Sequence, residues 1–192
     1  MKSIGITIIA IALSTLACDK PAGTPATLVH DFYTAFPAGV LDSGSEPTEV
    51  AMRRVAPYLS LRLRGLILDA VAYRESWGCH HPPRPGVNGG PWEIDKPPFA
   101  EGFGFTSNDE GFGHFTVSRT VPGPNDTWKV SVRFGYACTP RCSPYEWEDT
   151  AIVKLEQHRY VIDDVLFASH DPGEPQVLLS TGLQQRPSLL IR

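Results

Sequence analysis

The sequence predicts an α+β domain in which N-terminal helices pack on a bent antiparallel sheet of about four strands. Three observations carry that expectation. Apolar residues keep helical spacing in the first third of the chain, alternation replaces it beyond residue 114, and turn-forming clusters separate the alternating runs. The clearest run is Trp128 to Tyr136, where Trp128, Val130, Val132, Phe134 and Tyr136 alternate with Lys129, Ser131, Arg133 and Gly135. Such a pattern describes a strand with one dry face and one wet face.

In chain order, Thr24-Pro25 opens the first helix as N-cap and first helical residue, and Pro37 closes it. Leu28, Phe32, Ala35 and Phe36 fall on its apolar side. Pro47 starts a second helical segment that Pro57 interrupts. Beyond it, Leu59, Leu63, Leu66, Ile67, Ala70 and Val71 keep helical spacing, with Gly78 as the expected stop. Residues 79–112 are rich in proline and glycine and hold no sustained period, yet their aromatics argue against disorder. In the sheet, Phe115, Val117 and Val121 are expected on one face of the first strand. Pro122 to Asp126 turns the chain into Trp128–Tyr136, and Cys138 to Pro144 makes the second turn. Ala151 to Leu155 forms the third strand, Glu156 to Arg159 its turn, and Tyr160 to Phe167 the fourth. The tail, residues 169–192, shows no clear period and is expected to fray.

At 192 residues the chain suits one domain with a sizeable core. Its start is different in kind. Met1-Lys2 is basic, Ile4 to Leu16 is an apolar run too short to span a bilayer, and Ala17-Cys18 places a small residue before a cysteine. This resembles a bacterial lipoprotein signal, which implies removal of residues 1–17, lipidation of Cys18, and a tether over residues 18–25 holding the domain, residues 26–168, off a membrane. Removal of 1–17 takes one lysine and no acid, so the formal charge of −4 becomes −5. A mildly acidic domain lacks the clustered cations that nucleic-acid phosphates require.

Export also implies an oxidising compartment. Besides Cys18, the mature chain keeps Cys79, Cys138 and Cys142, enough for one disulfide and one free thiol, with three pairings open. Cys79-His80-His81 together with Cys138 and Cys142 is also a zinc-type ligand set. Adjacent histidines point apart and exported thiols oxidise, so a disulfide is expected, with neither metal nor cofactor.

Val29-His30-Asp31-Phe32-Tyr33, Pro57-Tyr58-Leu59-Ser60, the Asp95 to Phe99 segment and Tyr160-Val161-Ile162-Asp163-Asp164-Val165 together resemble a family of small, mostly uncharacterised bacterial envelope lipoproteins. The resemblance spans residues 26–168 and implies the cystatin-like cone fold also found in nuclear transport factors and scytalone dehydratase. Some relatives of that fold work through Asp-His pairs inside the cone. Here Asp31, His30, Asp69 and His114 are the available candidates, each expected to be a solvated surface residue. There is no Gly-x-Ser-x-Gly elbow and no His-Glu-x-x-His helix. The chain is therefore expected not to be an enzyme.

Aromatics and acids in or beside the loops point elsewhere. Trp77, Trp92, Tyr145 and Trp147, with Glu93 and Asp95, supply contact area and negative charge for a protein partner. The expectation is a periplasm-facing, membrane-anchored lipoprotein binding a protein partner. The resemblance extends it to an immunity protein that inhibits a secreted antibacterial toxin. The alternative is a lipoprotein binding a small ligand or envelope component in the cone's pocket.

Overall fold

Alternation and helical spacing become a mixed helix-and-sheet domain in the computed structural model, which describes residues 23–36, 40–41, 48–82, 103–108, 111–136, 145–169 and 175–184. Helix α1 (Pro25–Ala35) begins where expected: the Thr24 side chain accepts the Thr27 N–H at 3.1 Å, and Pro25 occupies the first turn. Its buried side is Pro25, Val29, Phe32 and Tyr33, continued by Phe36. Leu28 is only half-buried, so the apolar stripe is rotated from the one expected around it. Strand β1 (Val40–Leu41) pairs with β2 (Phe103–Gly104) in a separate two-stranded ladder.

Helix α2 (Thr48–Val55) runs into one 3-10 turn (Ala56–Tyr58), where Pro57 has no N–H to continue the helix. Helix α3 (Leu61–His80) starts from Ser60, whose hydroxyl accepts the Leu63 N–H at 3.0 Å. It passes the expected stop at Gly78 by two residues and ends at His81, whose ring stacks on Trp77 with centroids 3.5 Å apart.

The main sheet holds five antiparallel strands, not about four: β3 (His114–Pro122), β4 (Thr127–Tyr136), β5 (Tyr145–Glu156), β6 (Arg159–Phe167) and β7 (Val177–Leu178), in that spatial order. Strand β5 begins six residues earlier than Ala151, the expected start. Acidic residues at 146, 148 and 149 hide its period, because Asp149 takes an inward position between Trp147 and Ala151.

Two register shifts redirect side chains. Ser118 is extra between Val117, opposite Val132, and Arg119, opposite Ser131. Val121 therefore pairs with Lys129 on the outer face, and does not share a face with Phe115 and Val117 as expected. On β6, Asp163 is extra between Ile162 and Asp164, and this lets two successive carboxylates meet the Arg62 guanidinium. Burial opposes the charged forms of Asp163, Arg62 and Lys154. Hydrogen bonds outweigh it, those from Ser60, Arg62 and Lys154 holding Asp163 below the usual aspartate range and the carboxylates holding Arg62 and Lys154 above theirs.

Helix α1 lies across the inner face, against β3, β4, β5 and β6. Helix α3 is attached along β6, where Leu59 bridges Ile162 and the Ser60 N–H donates to Ile162 O at 2.9 Å. The expected fraying of 169–192 does not hold for residues 177–184. Val177–Leu178 extends the sheet, and helix α4 (Leu179–Gln184) buries Leu179 and Leu183. Its Ser180 N–H donates to Asp164 Oδ1 at 3.0 Å, an anchor that no periodicity in the tail would reveal.

Candidate partner-binding site

The space between α1 and the sheet is filled by rings. Phe32 meets Phe105 and Tyr33 meets Phe134, each at 5.0 Å between centroids. From Phe134 the series runs outward along the inner face: Trp147 stacks on Phe134 at 5.5 Å, and Tyr145 stacks on Trp147 at 5.4 Å. Burial falls along it, from 0% exposure at Phe134 through 7% at Trp147 to 46% at Tyr145. The strand period places both β5 rings on one face, two residues apart. Trp147 is fixed at its polar end too, since its indole N–H donates to Thr106 Oγ1 at 2.9 Å.

Residues 105–108 are pinned to the same end of the sheet. The Tyr33 hydroxyl donates to Phe105 O at 2.7 Å, and the Ser107 N–H donates to Asp149 Oδ2 at 2.8 Å. The other oxygen, Oδ1, accepts the Ala168 N–H at 2.8 Å. Burial, and then the nearby Asp149 charge, push the Tyr33 hydroxyl well above its ordinary pKa, so it stays a neutral donor. Each group in this buried polar set has an internal partner. The set fastens a loop and the end of β6 to the core, as buried polar groups usually do.

On the outer face, directly behind Tyr145, lies a groove of about 200 Å³ lined by His114, Thr116, Ser118, Arg133 and Glu146. Cross-strand pairing builds it: Thr116 opposes Arg133, Arg133 opposes Glu148, and Glu146 opposes Gly135. Gly135 leaves room for the His114 ring, since a Cβ there would meet its Nε2 at 2.5 Å. The Ser118 hydroxyl, at the β3 bulge, reaches Glu148 Oε2 at 3.4 Å. Sequence reasoning missed this groove because its members come from three strands whose register is not a local property.

The expected partner-contacting residues separate. Tyr145 is exposed at the rim, whereas Trp147 faces inward on β5 and is not in a loop. Trp77 lies on α3 with 9% exposure, its face covered by His81. Neither tryptophan offers a partner a free ring. Trp92, Glu93 and Asp95 lie outside the described residues, as do Cys18, Cys138 and Cys142 and the whole of 1–17. Cys79 is an exposed free thiol in the last turn of α3. The candidate Asp-His residues do not converge. His30 and Asp31 are exposed neighbours on α1, with His30 tilted over Phe115, while His114 lies in the outer groove and Asp69 is exposed on α3. Among the described residues no three His, Cys, Asp or Glu side chains gather to hold a metal, and no helix is long and apolar enough to cross a membrane.

A second cleft, about 400 Å³, opens at the opposite end of the sheet between α1, the 3-10 turn and β6. Leu28, Tyr58 and Tyr160 form its apolar walls, Asp31 and Arg159 bring opposite charges, and Gly23 stands at its edge. Strand β5 separates the two ends: Tyr145 is its first residue, and Glu156, its last, pairs with Arg159. Twelve residues at about 3.3 Å each put roughly 35–40 Å between them.

These features define a mixed helix-and-sheet domain with a five-stranded antiparallel sheet and an aromatic rim at one end. Comparison with protein families, curated proteins and solved structures returns no match.

Proposed function

We propose that the chain is a non-enzymatic, lipid-anchored protein of the cell envelope, facing the periplasm, which binds a secreted antibacterial toxin as its immunity protein. The observation carrying this reading is Tyr145. It is an exposed ring held in a stacked series by buried neighbours, so it meets a partner with little ordering cost. Arg133, Glu146 and Glu148 stand beside it on the outer face, charges suited to steering and registering a protein. Gly23 enters at the far end, so a lipid on Cys18, five residues earlier, leaves the Tyr145 end directed away from the bilayer. The placement of α1 across a bulged antiparallel sheet supports the cystatin-like cone and kinship with envelope lipoproteins of that fold.

The test is complex formation with the secreted effector encoded beside the gene, together with survival of a deletion strain exposed to that effector. A tight complex and a sensitised deletion strain are expected. A deletion strain no more sensitive than its parent ends the immunity reading.

The cleft of about 400 Å³ favours a second reading, a binder of a small ligand or envelope component. Its two tyrosines and opposed charges suit an amphipathic ligand. Saturable binding of an envelope glycan or lipid fragment that is lost on Tyr160→Ala, with Tyr145→Ala harmless, would favour it.

A further inference from the structure

Helix α3 is apolar on two sides, and among the described residues only one of them packs against the core. Leu63, Ile67 and Ala70 are buried against the core, while Leu61 and Leu68 are 57% and 56% exposed. The exposed side reads Leu61, Gly65, Leu68, Ala72, Glu75, Cys79, steps of four and three that keep one continuous stripe along the helix. A Cβ at Gly65 would meet nothing within 4 Å, so the stripe is open to an approaching backbone. We infer that this face of α3 is a self-association surface on which α3 of a second copy packs antiparallel.

Self-complementarity carries the inference. In an antiparallel pair with its two-fold axis near residue 70, Leu68 of each copy lies over Ala72 of the other, and Leu61 lies over Cys79. Each large residue meets a small one. Antiparallel pairing also brings the same flank of both helices together. Arg64 and Glu75 share that flank, so each copy sets Arg64 alongside Glu75 of the other. Within the chain neither side chain has an ion pair among the described residues. Two reciprocal pairs would satisfy both groups. A contact confined to one helix of about 30 Å is small beside a standard interface of about 1,600 Å², so the dimer is weak and reversible.

The test uses the full chain in its own host. Leu61→Cys is introduced with native Cys79 retained, intact cells are treated with a mild oxidant or a short bis-maleimide, and linked peptides are identified by mass spectrometry. A link from residue 61 of one chain to Cys79 of another is expected, with none to Cys79 from Lys129→Cys on the outer face of the sheet. Adding Leu68→Arg, at an exposed position that leaves the fold intact, should cut the link by about tenfold because it places a charge in the seam. Glu75→Arg should cut it as well, and Arg64→Glu added to Glu75→Arg should restore it. Absence of the 61-to-79 link, or its persistence with Leu68→Arg, overturns the inference.

Discussion

Asp149 accepts the backbone N–H of Ala168 at 2.8 Å, joining the inward face of β5 to the chain that leaves β6. With Ser107 on its other oxygen, the carboxylate satisfies two backbone donors from segments some sixty residues apart. Asp149→Asn keeps the shape but replaces one acceptor by a donor facing an N–H. We expect a loss of about 2–4 kcal/mol, read as a lower urea midpoint at unchanged slope.

Trp147 and Thr106 form a second such link. Trp147→Phe retains a ring in the series but removes the indole donor, and should cost about 1–2 kcal/mol. Thr106→Val should cost a similar amount. The double variant should fall short of the sum by about 1 kcal/mol, which a double-mutant cycle in urea would measure.

Asp163 gives stability an acid limb. Its carboxyl titrates below the usual range in the folded chain, so its contribution is complete above the unfolded value. That contribution disappears as pH falls through the lowered folded value. The stability difference between the parent chain and Asp163→Asn should therefore be about 1–2 kcal/mol at neutral pH and should shrink toward zero in acid, as unfolding midpoints between pH 7 and pH 2 would show.

The turn between β5 and β6 is strained. Gln157 and His158 both hold positive φ, at 50° and 63°, as a two-residue hairpin of this type requires. Gln157→Asn with His158→Gly supplies residues suited to that backbone and should raise stability by about 1 kcal/mol. A higher melting temperature with an unchanged far-ultraviolet spectrum would confirm it.

Tyr145→Ala separates binding from folding. With Tyr145 46% exposed, truncation should change stability by less than about 1 kcal/mol, while weakening the proposed toxin complex by about tenfold or more. Titration calorimetry for the complex and thermal unfolding for the chain provide the two measurements. Equal affinity in the variant would remove Tyr145 from the contact surface.

Much of the fold was legible because its signals are local. Thr24-Pro25 and Pro57 act on the backbone beside them, and Val130, Val132 and Phe134 declare their strand within a few residues. The candidate site was less legible. Tyr145 was identified for its ring, but Trp147 and Trp77 carry the same composition and are mostly buried, since a neighbouring Thr106 or His81 covers them only after folding.

By itself, the sequence determined the class of domain, its acidic charge, the order of its main helices and strands, and an N-terminus that resembles an export signal. Tertiary structure decided which side chains meet. Two extra residues, Ser118 and Asp163, moved Val121 to the outer face and brought Asp163 and Asp164 to Arg62. Asp164 drew the tail back onto the core. Periodicity is a property of one segment, whereas register, bulges and burial depend on partners far away in the chain, and it is those partners that leave Tyr145 as the exposed end of its ring series.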